Sequence, residues 1–434
     1  MFIRVYLWKK RFPVDRRSKV PRVSPTDQAL AEFRPGLNAY IQGGVGEPLA
    51  LRSILAAAPD VLTDVSLFGG FIPGMNSFDY SGLNGTARLT VFMLAPAFRA
   101  GFEAGRVRVR PLPYSQIAHA LTHDAPVDLA ILHVSPPDEN GQCSLGPCVD
   151  FAPLVWPRAK RRVAFVNPNV PRAARGYSVP VSSIDVAVET DLPYICGDEG
   201  PGSDEQNAIA AHVAALVPDG AALQTGIGGA PAAALARLAD RRNLRVRSGL
   251  VTEGYRQLSE AGALAADAEH LTGMAYGSQD FMRWAADNFA FVDATVTHGA
   301  EGLATTDRLF AINSALEIDL FGQANIEWRG GRLVSGLGGA PDFAAAARRS
   351  NGGRAILALP ATAGGGKISR IVARLDAPTV SLPRDATDLV ITEHGVANLR
   401  GTSLDARAEA LIAVAAPAFR AALADQWQDI RRGL

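Results

Sequence analysis

Short β-branched runs alternate with alanine-rich stretches of helical spacing along most of the chain, and this alternation limits the available folds more than any other feature. Residues 49–58 read as a helix and 61–68 as a strand; 87–94 read as a strand, 96–104 as a helix, 107–109 as a strand and 115–122 as a helix. The run VDLAILHV (127–134) is apolar almost throughout, as suits a strand covered on both faces. Runs 162–166 and 186–188 repeat the theme. A helix between successive strands is what joins parallel neighbours, so the expected class is α/β with mostly parallel sheets.

The rhythm breaks at CGDEGPGSD (196–204), which is rich in Gly, Pro and Asp and has no apolar period. It then resumes with a helix at 206–217, a strand at 221–224 and a helix at 230–238. Further strands are expected at 291–296, 355–359 and 388–391, and a helical run at 404–424 broken at Pro417. We therefore expect two α/β domains of similar size, 1–200 and 201–434, which fits a chain of 434 residues.

Charge and cysteine content narrow the function. Lys and Arg total 43 and so do Asp and Glu, so the net charge is zero. A dedicated nucleic-acid binder carries a basic excess, and none is present. Neutrality leaves homo-oligomers open. Three cysteines (Cys143, Cys148, Cys196) argue against a disulfide scaffold and fit a reducing, cytoplasmic setting. They have no partners at zinc-site spacing, so no metal is expected. No apolar run approaches the roughly 18 residues of a membrane span. The start, MFIRVYLWKKRFPVDRRSKVPR, lacks the apolar core and cleavage site of a signal peptide and reads as a ragged arm or a mis-called start codon.

Five segments carry groups suited to chemistry. In LQTGIGGAPAAALARLA (223–239) a strand runs into Gly226, Gly228 and Gly229, and a helix starts near Pro231. Such a turn either brings backbone N–H groups to an anion at a helix N-terminus or simply makes a tight passage from strand to helix. It lacks the third glycine of a dinucleotide fingerprint. VSGLGGAPDF (334–343) sets Gly336, Gly338 and Gly339 after a short strand, where a thioester or phosphate can approach the backbone; the alternative is a plain loop. ATAGGGKISRIV (361–372) puts three glycines before Lys367, either a cradle for an anion or a loop with a solvated cation. VSPPDENGQCSLG (134–146) places Asp138 and Glu139 on a strong turn after the buried strand. THGAEGL (297–303) and TEHGVANLRG (392–401) each bring His and Glu together, suited to acid–base work or to loop-end capping. No G-x-S-x-G elbow is present.

Taken together and in order, these segments resemble the acetyl-CoA hydrolase/transferase family, whose members include 4-hydroxybutyrate and butyrate:acetate CoA-transferases. The likeness runs from about Gly43 to Ala422 and also takes in AINSALEIDLFGQAN and LDARAEALIAVAAPAFR. The resemblance implies two tandem open α/β domains with mostly parallel sheets and the site between them, coenzyme A thioesters as substrate, a small carboxylic acid as partner, and a homodimer or homotetramer. It implies Gly226, Gly228, Gly229, Gly336, Gly338, Gly339 and Lys367 as the residues that hold the thioester. In the family a glutamate attacks the acyl-CoA carbonyl and then carries CoA as a thioester, which splits one hard step into easier ones.

The chain departs from that pattern where the nucleophile belongs. Family members carry His-(Ser/Thr)-Glu-Met there, and this chain has Arg247-Ser248-Gly249-Leu250. Gly249 cannot form an anhydride. Three readings are open. Another carboxylate takes the role, with Glu253 nearest, then Glu301, and Glu47 and Glu393 further off. Alternatively water is activated by Glu253, His298 or His394 and the thioester is hydrolysed. In the third the chain binds acyl-CoA without turning it over. The acyl group stays open across acetate, butyrate, 4-hydroxybutyrate and a dicarboxylate such as itaconate or succinate, the last if Arg247 faces the pocket. Ala340, where many relatives have Gln, bears on the acyl pocket.

Overall fold

The computed structural model describes residues 24–124, 126–197, 200 and 202–434; the N-terminal arm and part of the 196–204 break lie outside the described residues. Two large sheets dominate. The first has seven strands in the spatial order Val107–Val109, Arg88–Val91, Ser66–Phe68, Asn38–Ile41, Leu129–Val134, Arg161–Val166 and Val186–Glu189. All its pairings are parallel, with Tyr40 opposite both Phe68 and Ala130. Every residue of Leu129–Val134 is buried, as the apolar run predicts for a strand at the middle of a covered sheet.

The second sheet has eight strands, in the order Ala290–Phe291, Leu271–Ala275, Arg245–Val251, Ala222–Thr225, Leu309–Asn313, Arg354–Ala358, Leu389–Thr392 and Gly395–Asn398. Seven run parallel, and the last closes the edge as an antiparallel hairpin. The α/β class expected from alternation is therefore the observed one. Three central strands are ones the periodicity does not single out. RVRSGLV alternates Arg and Ser with apolar residues, LTGMA carries a glycine, and LFAIN follows an exposed loop.

Helix boundaries follow local chemistry. Asp204–Leu216 begins with a capping box, in which the Ser203 hydroxyl accepts from Gln206 N and the Gln206 side chain returns to Ser203 N. The expected strand at 291–296 is corrected. Only Ala290–Phe291 is a strand, and Ala294–Thr297 is a helical turn. The Asp293 carboxylate accepts from Thr295 N at 2.8 Å, so a local cap overrides the β preference of the Thr-Val-Thr run.

The two sheets are joined by main chain as well as by packing. Segment 147–150 pairs with 273–275: Val149 N donates to Gly273 O and Ala275 N to Pro147 O. The largest hydrophobic cluster draws Tyr40, Val45 and Phe151 from the first half and Leu223, Met274 and Phe310 from the second. No helix among the described residues is long and apolar enough to cross a membrane.

Candidate active site

Strand order in the second sheet reverses between Ala222–Thr225 and Leu309–Asn313, which lie side by side and parallel. Chains leaving such strands turn to opposite faces, which opens a crevice beyond their carboxyl ends. A cavity of about 220 Å³ lies there. Gln224, Thr225 and Gly226 reach it from one strand end, Asn313 and Ser314 from the other, and Gly249, Leu250 and Met274 from the next two strands. The buried amides of Gln224 and Asn313 hydrogen-bond reciprocally at 2.9 and 3.2 Å. Ile72, Met93 and Tyr114 close the cavity from the first half of the chain.

Ile227 and Ile326 also line it, and a further wall is the loop 335–340 with Phe343. It is pinned to the first half by main-chain bonds, Leu94 N to Ser335 O and Tyr114 N to Gly338 O, both 3.0 Å. In a trans peptide the N–H points opposite to the C=O. The Gly336 and Gly339 N–H groups therefore turn away from the first half, and no partner for either occurs among the described residues. A Cβ on Gly336 would overlap the carbonyl oxygen of Phe92, so this close approach requires glycine. Gly338 has φ +56°, in the left-handed region. The helix Ala340–Arg349 starts at the cavity and directs its positive end there.

Against this loop stands His298, at the C-terminal end of the Ala294–Thr297 turn and 6% exposed. Its ring is packed between Tyr114, centroids 4.5 Å apart, and Phe343, 4.8 Å. Nδ1 lies 2.8 Å from Thr297 Oγ1. Nε2 lies 2.7 Å from the point a Cβ on Gly249 would occupy, and the ring would also overlap a Cβ on Gly339. The imidazole thus fills the space into which a side chain at 249 would project. Burial pulls its pKa down to about 3, so it is neutral at physiological pH.

The structure brings some of the expected site residues together and leaves others apart. Gly226, Gly336, Gly338 and Gly339 line the cavity, as does Ala340. Gly228, with φ +141°, caps the helix Gly229–Ala236 just beyond it, and a Cβ on Gly229 would overlap Gln206. Lys367 is exposed in the turn joining Thr362–Ala363 to Ile368–Ser369, outside the lining residues. Glu253 begins the helix Glu253–Glu260 and accepts from Ser278 N and Oγ, capping the next helix instead of reaching the cavity. Glu301 is exposed on the short helix Ala300–Ala304.

The weaker candidates are engaged elsewhere. Glu47 is buried and takes hydrogen bonds from Arg52, Asn76 and Tyr80. Glu393 accepts from Ala361 N, with His394 3.6 Å away. Asp138 pairs with Arg172 and caps its own turn. Arg247 is not among the lining residues, and its Nη1 is buried with no hydrogen-bond partner among the described residues. Among the described residues that line the cavity there is no Asp, Glu, Lys or Arg. The THGAEGL motif did signal His298, but only the fold shows that the ring stands against Gly249.

Comparison with known proteins agrees with this architecture. Residues 13–198 match the acetyl-CoA hydrolase/transferase N-terminal domain and 277–427 the C-terminal domain of the same name. The chain is 32% identical to 4-hydroxybutyrate coenzyme A transferase of Clostridium kluyveri, covering 93% of this chain and 96% of that one. It is 29% identical to butyryl-CoA:acetate CoA-transferase of Anaerostipes caccae, over 92% and 94%. The crystal structure of RipA from Yersinia pestis superposes with a TM-score of 0.87 at 28% identity, covering 94% of this chain and 97% of that one.

Proposed function

The chain belongs to the acetyl-CoA hydrolase/transferase family, and from that premise we propose that it moves coenzyme A from a short-chain acyl-CoA to a small monocarboxylic acid. The observation that carries this reading is the neutrality of the cavity: none of the described residues lining it is Asp, Glu, Lys or Arg, and the His298 imidazole is uncharged. A second carboxylate on the acyl group would need a cation or a solvated exit, and burying it unpaired is costly. Ile72, Met93, Leu250, Met274 and Phe343 favour an apolar acyl chain instead. At about 220 Å³ the cavity takes the acyl end of a thioester, since pockets that enclose drug-sized ligands run to roughly 300–1,000 Å³. The bulk of CoA then lies outside.

The same neutrality favours a carboxylate acceptor over water. Water must lose a proton to attack, and an imidazole held at about 3 is a weak base at neutral pH. A carboxylate arrives as an anion and needs no base. The unpartnered N–H groups of Gly336 and Gly339 and the start of the Ala340–Arg349 helix suit the oxyanion that forms at the thioester carbonyl. The names of the relatives, both CoA-transferases, support transfer.

A mass-resolved assay tests this. The protein is mixed with butyryl-CoA, acetyl-CoA or succinyl-CoA and a pool of free acids. New thioesters of monocarboxylic acids, with succinate used at least tenfold less well, are expected. Release of free CoA alone would make the protein a hydrolase. No change, with thermal stabilisation by acyl-CoA, would make it a binder.

A further inference from the structure

In the proposed transfer reaction, on which this inference rests, the position of His298 bears on the order of events. A transfer through the protein needs a side chain at the reacting carbon that can take CoA and give it back. None of the described residues lining the cavity has a carboxylate. Glu253 is occupied by Ser278 and Glu301 is on an outer helix. The volume beside Gly249 is filled by the His298 ring, wedged between Tyr114 and Phe343 with Nδ1 tied to Thr297.

We infer that the acceptor acid attacks the thioester carbonyl directly, in a complex that holds both substrates, with His298 as the hydrogen-bonding group at the reacting carbon and no CoA bound to the protein on the path. The steps balance without any proton. The acceptor carboxylate oxygen bonds to the donor acyl carbon and the C–S bond breaks, giving a mixed anhydride of the two acids and the CoA thiolate. The thiolate then attacks the acceptor's carbonyl carbon. The anhydride C–O bond breaks, giving the new thioester and the donor acid as its carboxylate. Each attack builds negative charge on a carbonyl oxygen beside the His298 ring and the 336–339 backbone. Where Thr297 Oγ1 donates to Nδ1 and not to Asp293 O, 3.3 Å away, the neutral imidazole presents Nε2–H to that oxygen, and an anionic side chain in its place would repel it.

Two-substrate kinetics and intact-protein mass test this on the full chain. Expected are intersecting double-reciprocal lines, transfer only when both substrates are present, and no CoA adduct after incubation with butyryl-CoA alone. His298→Ala should lower kcat by about 10²-fold, the usual effect of losing one oxyanion donor, with KM for butyryl-CoA changed less than threefold. His298→Gln, which restores an N–H, should recover part of the loss. Parallel lines with a CoA adduct that disappears in Glu253→Gln or Glu301→Gln would overturn the inference and leave the transferase reading standing. Absence of transfer with every acid would overturn both.

Discussion

Residue by residue, the site is defined by a substitution of volume. Gly249 has no side chain, and His298 from a separate turn occupies the space one would take. The two positions should therefore be coupled. Gly249→Ala forces a Cβ into the ring, and overpacking of this kind costs about 1–3 kcal/mol. Combined with His298→Ala, the penalty at 249 should largely vanish, a non-additivity that denaturant unfolding of the double-mutant cycle would measure. The imidazole also makes a pH prediction. Its folded pKa is about 3 because burial disfavours the cation, while in the unfolded chain it returns to near 6.5. Between these values the unfolded state binds a proton that the folded state refuses, so this group's contribution to stability falls as pH falls from 6.5 towards 3. Wild type should lose stability relative to His298→Gln over that window, by up to about 1.4 kcal/mol per pH unit. Equal pH dependence in the two proteins would show that the ring is not buried as described.

At the level of elements, the cavity depends on a loop that one half of the chain supplies and the other holds. The helix Tyr114–His123 has Pro113 before it and no side-chain cap of its own. Asp342 supplies one from the other half, accepting from Ser115 N at 3.0 Å and from Ser115 Oγ at 2.5 Å. This carboxylate does two jobs, since it also sits in the first turn of Ala340–Arg349, whose start lines the cavity. Asp342→Ala should cost about 1 kcal/mol of stability, the usual cost of a lost cap. It should also raise KM for acyl-CoA several-fold, because the 335–340 wall loses one of its ties. A stability loss with KM unchanged would mean the main-chain bonds to Leu94 and Tyr114 hold the wall unaided.

For the molecule as a whole, the question is how far the halves act separately. We read the chain as two α/β domains divided near residue 200, but their largest core cluster is shared, and residues 147–150 of one half pair with 273–275 of the other. Separating the halves would uncover Phe151 on one and Met274 on the other, together with unpaired main chain. Calorimetry should therefore show one cooperative transition, with calorimetric and van't Hoff enthalpies equal. Two separated transitions would show that the shared cluster contributes little.

Alternation of apolar strands with alanine-rich helices determined the α/β class, because a short apolar run between helices can be buried only inside a covered parallel sheet. Of the six glycines singled out, Gly226, Gly336, Gly338 and Gly339 line the cavity, while Gly228 and Gly229 of the strand-to-helix turn lie just beyond it. The sequence likewise marked the absence at Gly249. It could not tell what stands beside that glycine. Proximity along the chain favoured Glu253, four residues on, but that residue opens a helix and is turned to Ser278. His298 lies on a turn reached only after two further strands, and sheet order carries it back to the strand that holds Gly249. Which side chain fills a gap is decided by strand order and packing across the sheet, and a pattern read along one chain does not contain those distances.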